Sequence, residues 1–184
     1  MKDLYIMRHG QTLFNVRRKI QGWCDSPLTE EGKQQALKAK EILKDISFDH
    51  FYCSTAERCS DTLELITNHP YTRVKDLKER NFGVYEGESE DLHPDISRYD
   101  EFYKPFGGET TQEVKERMYN ALSKIMNKED HHKVLVVSHG GANMCFYSYF
   151  GNPQDLKNQG FTNCSILHYT YDNHQFHFIE MINI

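Results

Sequence analysis

Val134-Leu135-Val136-Val137-Ser138-His139-Gly140-Gly141 sets an unbroken apolar run directly against a serine, a histidine and two glycines. Such a run reads as a strand buried on both faces, the kind found inside parallel sheets. The pattern occurs twice more upstream. Residues 4–7 are apolar and lead straight into Arg8-His9-Gly10-Gln11-Thr12, and Phe51-Tyr52-Cys53 lead into Ser54-Thr55-Ala56-Glu57-Arg58. Three predicted strands therefore each end in a polar cluster. In open α/β sheets, ligands bind just outside the carboxyl ends of the strands. The clusters are expected to meet there.

Helical patterns fill the gaps. One helix starts at Thr29, after Pro27, and carries Ala36, Ala39, Leu43 and Ile46 on one face. Another covers 55–66 and holds Arg58 in its first turns. Thr110 and Glu113 form a candidate capping box, and Val114, Met118, Leu122 and Ile125 follow as a buried stripe. A fourth helix is expected over 141–150. Residues 166–171 and Gln175–Ile182 read as strands joined by a hairpin at Asp172-Asn173-His174. Strand and helix alternate, which predicts an α/β fold: a three-layer sandwich with a mostly parallel central sheet flanked by helices. At 184 residues the chain fits one domain, 1–184. Residues 84–108 stand apart, rich in Asp, Glu, Tyr and Phe and with little periodicity. They are read as a small lid over the site, since substrate choice often resides on such loops.

Bulk composition excludes several classes. The formal net charge of -5 argues against nucleic acid as a partner. No apolar run approaches a membrane span. The chain reaches Arg8-His9 before a signal-peptide core could fit, so a cytoplasmic protein is expected. The five cysteines are odd in number, show no CxxC spacing, and read as reduced packing thiols. His131-His132 reads as a solvated loop before a strand rather than as metal ligands. No metal-ligand spacing and no nucleotide-binding motif is present, so neither a metal nor a cofactor is expected.

The polar clusters point to phosphate chemistry. A phosphomonoester repels nucleophiles, so its cleavage needs charge neutralisation, a placed nucleophile and a proton for the leaving oxygen. Arg8 and Arg58 offer planar cationic forks, and His139 is expected to add a third positive charge. His9 is a nucleophile if one ring nitrogen is held by a backbone acceptor and the other left free.

The chain resembles the histidine phosphatase superfamily, in its branch of phosphoglycerate mutase-like phosphatases. The resemblance rests on Arg8-His9-Gly10-Gln11-Thr12 with Asn15, Gln21-Gly22, Pro27-Leu28-Thr29 with Gly32 and Ala36, and Ser54 with Arg58 and Thr62. It continues through Glu79 with Phe82-Gly83 and Glu86-Gly87, Gly108-Glu109, and Ser138-His139-Gly140-Gly141. It implies His9 as the phosphorylated nucleophile, Arg8, Arg58 and His139 as catalytic partners, and Glu79 as the proton donor. It further implies Asn15, Gln21 and the Gly22 backbone at the phosphate oxygens, with the Gly140 amide joining them at a helix N-terminus. For Asn15 and Gln21, loop capping is the alternative.

The leading expectation is a phosphomonoester hydrolase acting on a small phosphorylated metabolite through a phosphohistidine. The alternatives are a cofactor-dependent phosphoglycerate mutase and a catalytically weak phosphate-binding regulatory protein. Basic residues are few in 84–108 and acidic ones many, which favours hydrolysis over a multiply anionic phosphoglycerate.

Overall fold

A computed structural model describes residues 1–184. The strands are β1 (Lys2–Arg8), β2 (His50–Ser54), β3 (Thr72–Val74), β4 (Lys133–Ser138), β5 (Ile166–Asp172) and β6 (Gln175–Ile182). The helices are α1 (Leu13–Val16), α2 (Glu30–Leu43), α3 (Glu57–Ile66), α4 (Tyr99–Tyr103), α5 (Thr111–Met126), α6 (Gly140–Tyr147) and α7 (Pro153–Asn158). One six-stranded sheet runs β3-β2-β4-β1-β5-β6. The first four in that order are mutually parallel; β5 pairs antiparallel to β1, and β6 antiparallel to β5.

Both faces of the sheet are covered, which is why its central strands are apolar without alternation. Leu4 and Ile6 of β1, with Val134 and Val136 of β4, enter a core shared with α5, α6 and α7. Tyr5, Met7, Leu135 and Val137 point the other way, into a core shared with α2 and α3. The three-layer expectation therefore holds. The register pairs Arg8 with Ser138 and Cys53 with Val137, so β1, β2 and β4 end nearly flush. The three polar clusters leave the sheet along one edge.

Caps fix the helix starts. The Thr29 hydroxyl accepts from Gly32 N at 3.0 Å, and Thr110 and Glu113 form the reciprocal box expected of them. Two boundaries differ from expectation. The third helix begins at Glu57, because Ala56 is extended and its N–H is taken by the Ser54 hydroxyl. The fourth runs over Gly140–Tyr147, and the Tyr147 carbonyl then closes a turn with the N–H groups of Phe150 and Gly151.

The 84–108 segment is a chain of 3₁₀ turns around α4. Its aromatics are anchors: Tyr103 is fully buried, edge-on to Phe82 at 5.0 Å and to Phe102 at 4.9 Å, in a small core with Ile20. Its acids are largely engaged elsewhere. Glu90 and Asp91 pair with Arg18, Asp100 with Arg80, and Glu101 with Arg98.

One histidine expectation fails. His131 is buried rather than solvated: its Nε2 lies 2.6 Å from the Tyr52 hydroxyl and its ring stacks on His50 at 3.6 Å. Strand pairing draws it inward just before β4. His50, Asp130 and His131 thereby form a trio of possible metal ligands at the amino ends of β2 and β4, the far end of the sheet from the polar clusters. All five cysteines are free. No helix is long and apolar enough to cross a membrane.

Candidate active site

At the carboxyl ends of the parallel strands lies a cavity of about 530 Å³. Six of the predicted site residues line it: Arg8, His9, Asn15, Gln21, Glu79 and Gly140. The 84–108 segment adds Glu90, His93, Ile96 and Tyr99 to its wall. Met144, Ser148, Asn152 and Lys157, from α6, α7 and the turn between them, close another side. Sequence reasoning missed that side. Asn152-Pro153 is a helix-start signal, with Asn152 capping Gln154 N, and could have located α7.

His9 is held as a nucleophile requires. Its Nδ1 lies 2.8 Å from its neighbour's carbonyl, Gly10 O, and must donate the proton there, which leaves the Nε2 lone pair free. Burial, then the charges of Arg58 and Arg8, hold its pKa well below the usual histidine value, against a smaller opposing effect of the Gly10 bond. The ring is therefore neutral near pH 7.

Arg58, His139 and Gly22 stand one layer behind the wall. Arg58 is fully buried on α3. Its Nη1 donates to Cys24 O and Asp25 Oδ1, both at 2.9 Å. Its Nη2 donates to Gly22 O at 2.8 Å and lies 2.9 Å from His139 Nδ1. The fork expected to grip a phosphoryl group is occupied by the protein itself, and of five donors only Nε–H remains. His139 corrects a second expectation. Arginine can only donate, so His139 Nδ1 must accept, and its Nε2–H points to Ser54 Oγ at 2.8 Å. Burial, with Arg58 and His9 adding to it, keeps His139 neutral rather than cationic. Its ring sits edge-on to His9 with centroids 5.3 Å apart. The Gly22 amide was expected at the phosphate, but it donates to Glu86 Oε2 at 3.1 Å.

Arg8 keeps its fork for the cavity, with no side-chain bond to the protein. Burial weakens its hold on the proton and Glu79 strengthens it, and an arginine stays cationic throughout. Glu79 is 8% exposed, and its two oxygens accept from Arg80 N and Gly141 N, each at 2.8 Å. A Cβ at Gly141 would lie 2.6 Å from Glu79 Oε1, so any larger residue here would push the carboxyl out of this position. Asn15 serves both readings made of it. It completes a capping box with Thr12 and also faces the cavity. Gln21 accepts from the Thr12 hydroxyl at 2.6 Å through Oε1.

Among the predicted site residues, three buried donors find no acceptor in the protein: Arg8 Nε, Arg58 Nε and Gln21 Nε2. Native interiors pair nearly all such groups. Two belong to permanent cations, so the ligand that suits them is an anion with several acceptor oxygens.

The buried neutral histidines make stability depend on pH. Unfolded histidine protonates near pH 6.5, whereas His9 and His139 do so only well below it. Above about pH 6.5 both states are neutral and the two groups contribute no pH dependence. Below it the unfolded chain binds more protons, so stability falls as pH falls, by up to about 1.4 kcal/mol per pH unit for each histidine. Urea unfolding at pH 7.5, 6.0 and 5.5 should show that slope. A flat profile would mean that the two rings titrate normally in the folded protein.

The fold and cavity define an α/β protein with an anion-ready pocket over a neutral histidine at the ends of its parallel strands. The chain belongs to the histidine phosphatase superfamily (branch 1), whose sequence profile matches residues 4–184. It is 34% identical over 145 residues to "Uncharacterized phosphatase PhoE" of Bacillus subtilis, covering 77% of this chain and 74% of that protein. It is 33% identical over 187 residues to "Probable phosphoglycerate mutase GpmB" of Cronobacter sakazakii, covering 93% and 86%. Among solved structures, Bacillus stearothermophilus YhfR superposes with a TM-score of 0.85 at 30% identity, over 97% of this chain and 95% of that one.

Proposed function

We propose that this chain is a cytoplasmic phosphomonoester hydrolase acting on a small phosphorylated metabolite through a phosphohistidine on His9. The observation that carries the reading is the set of three unpartnered buried donors beside a neutral histidine whose Nε2 is free. His9 Nε2 attacks phosphorus, the P–N bond forms and the P–O ester bond breaks. Arg8 and the Arg58 Nε–H meet the equatorial oxygens, and Gln21 and Asn15 add neutral contacts. The Glu79 carboxyl gives its proton to the leaving oxygen. In the second half, the Glu79 carboxylate takes a proton from water, the water oxygen attacks phosphorus, and the P–N bond breaks to release phosphate. The 84–108 segment serves as the lid that meets the rest of the substrate, through His93, Ile96 and Tyr99. Five free thiols fit a reducing compartment.

Phosphoryl return to the substrate, as in a mutase, is the second reading. Two observations favour it: the relation to GpmB, and Lys19 and Lys157 on the cavity wall, where a second anionic group would meet them. The acidity of 84–108 weighs against it less than the sequence suggests, because Glu90 is that segment's only carboxylate on the wall. A phosphate-release screen across a metabolite panel, with mutase activity assayed in parallel, decides between them. Release of phosphate from no ester would sink the hydrolase reading.

Two arginines fill the role a metal would otherwise take. Turnover should therefore be unchanged in excess EDTA. Loss on chelation with recovery on adding a divalent ion would overturn the metal-free scheme. Ions bound at His50, Asp130 and His131 would leave turnover untouched, being at the other end of the sheet.

A further inference from the structure

Glu86 sits in the 84–108 segment, half-buried, and is absent from the cavity wall. Its carboxylate nevertheless collects four backbone amides. Oε2 accepts from Gly22 N at 3.1 Å and Cys24 N at 2.9 Å, and Oε1 accepts from Trp23 N and Phe82 N, both at 2.9 Å. Three successive N–H groups of one loop thus turn toward one side chain. The carbonyls of that loop turn the other way. Gly22 O and Cys24 O are two of the four acceptors that hold the Arg58 guanidinium. The loop has little room to adjust. A Cβ at Gly22 would lie 2.2 Å from Arg80 O and 2.3 Å from Glu86 Oε1. The next residue, Trp23, is pinned by its Nε1–H on Glu79 O at 2.9 Å, with Lys78 over its ring at 4.6 Å.

We propose that Glu86 is a positioning residue that orients Arg58 through the Gly22–Trp23–Cys24 loop. Within a peptide unit the carbonyl of one residue and the N–H of the next are antiparallel, so holding Trp23 N–H on Glu86 fixes the direction of the Gly22 carbonyl, and holding Cys24 N–H on the same carboxylate places the residue whose carbonyl is the other loop acceptor. Those carbonyls, with Asp25 and His139, bind all four terminal guanidinium protons and leave only Nε–H to aim. Glu86 has no free lone pair turned to the cavity and takes no part as an acid or base. This inference rests on the proposed contact between Arg58 and the phosphoryl group.

Glu86→Gln is nearly isosteric, but its NH₂ would face two backbone N–H groups in place of an acceptor. The single-turnover phosphorylation rate of an aryl phosphate should fall about 10–10²-fold, a fraction of the roughly 10³-fold loss expected of Arg58→Ala. The decisive comparison is the double mutant. If Glu86 acts through Arg58, adding Glu86→Gln to Arg58→Ala should cost less than threefold further, because the group it orients is already gone. Glu86→Asp keeps the charge and should recover part of the rate. Should the glutamine variant fail to fold, the aspartate variant carries the same cycle. Losses that simply multiply would overturn the inference while leaving the phosphatase reading in place. A wild-type rate in Arg58→Ala alone would overturn the proposed contact between Arg58 and the phosphoryl group, and this inference with it.

Discussion

His9→Ala should abolish turnover, lowering kcat/KM on the order of 10⁴–10⁶-fold, the span seen when a covalent nucleophile is removed. The fold should survive. The ring's one side-chain hydrogen bond is to its neighbour's carbonyl, and it faces an open cavity rather than a packed core. The same substitution removes a buried histidine that resists protonation, so the variant should lose less stability than the wild type as pH falls below about 6.5. Acid quenching of a reaction with labelled substrate provides the direct check. Wild-type levels of acid-labile phosphoenzyme in the alanine variant would place the nucleophile elsewhere.

Glu79→Gln should be selective in its damage. An alkyl phosphate leaves as a strongly basic alkoxide and needs a proton in the transition state, whereas a nitrophenyl phosphate leaves as a weakly basic phenolate. The variant should lose about 10²–10⁴-fold in phosphorylation of the alkyl ester, the usual span of general acid catalysis, and clearly less on the aryl ester. Glutamine also disturbs one of the two amide contacts, from Arg80 N or Gly141 N, and that part of the loss is common to both substrates. The informative quantity is therefore the ratio of the two losses, measured in single turnovers because the proposed mechanism also has Glu79 activate water in the second step. Equal losses would mark Glu79 as a binding or structural group. Glu86 could not then stand in as the acid, since its oxygens are taken by four backbone amides outside the cavity.

The layers of this fold were legible because burial writes itself into β1, β2 and β4 as unbroken apolar runs. Helix starts were legible where a side chain caps them, at Thr29 and Thr110. Strand β3 was not: it has three residues, lies at the sheet edge, and presents Thr72 and Arg73 to solvent. In the site, residue types and their order announced most of the groups that gather at the strand ends, but not which of a group's atoms are free. Arg58 shows the difference. Its presence was readable, whereas the engagement of both its terminal nitrogens depends on a loop more than thirty residues away in sequence. The charge of His139 was misjudged for the same reason, because it is set by which atom of Arg58 it faces. The α6–α7 side of the cavity carries no chemical motif, only the helix-start signal of Asn152-Pro153; Asn152, Gln154 and Lys157 are exposed residues of ordinary surface type that the fold brings to the cavity rim.

The place of β1 between β4 and β5 has a consequence for how the molecule comes into being. Lys2 and Asp3 pair with Tyr171 and Lys133, so β1 is made more than a hundred residues before either of its neighbours. At ordinary ribosomal speeds, β1 waits on the order of ten seconds after emerging before either partner exists. Throughout that time an apolar strand with two unmet edges is held open, and pairing over such separations is slow even once it can begin. The nascent chain thus carries His9 with no pocket around it until β4 and β5 have been made and paired with β1. Growth conditions that shorten this interval, or a holding chaperone that shields residues 2–8, should raise the yield of folded protein without any change in its final stability.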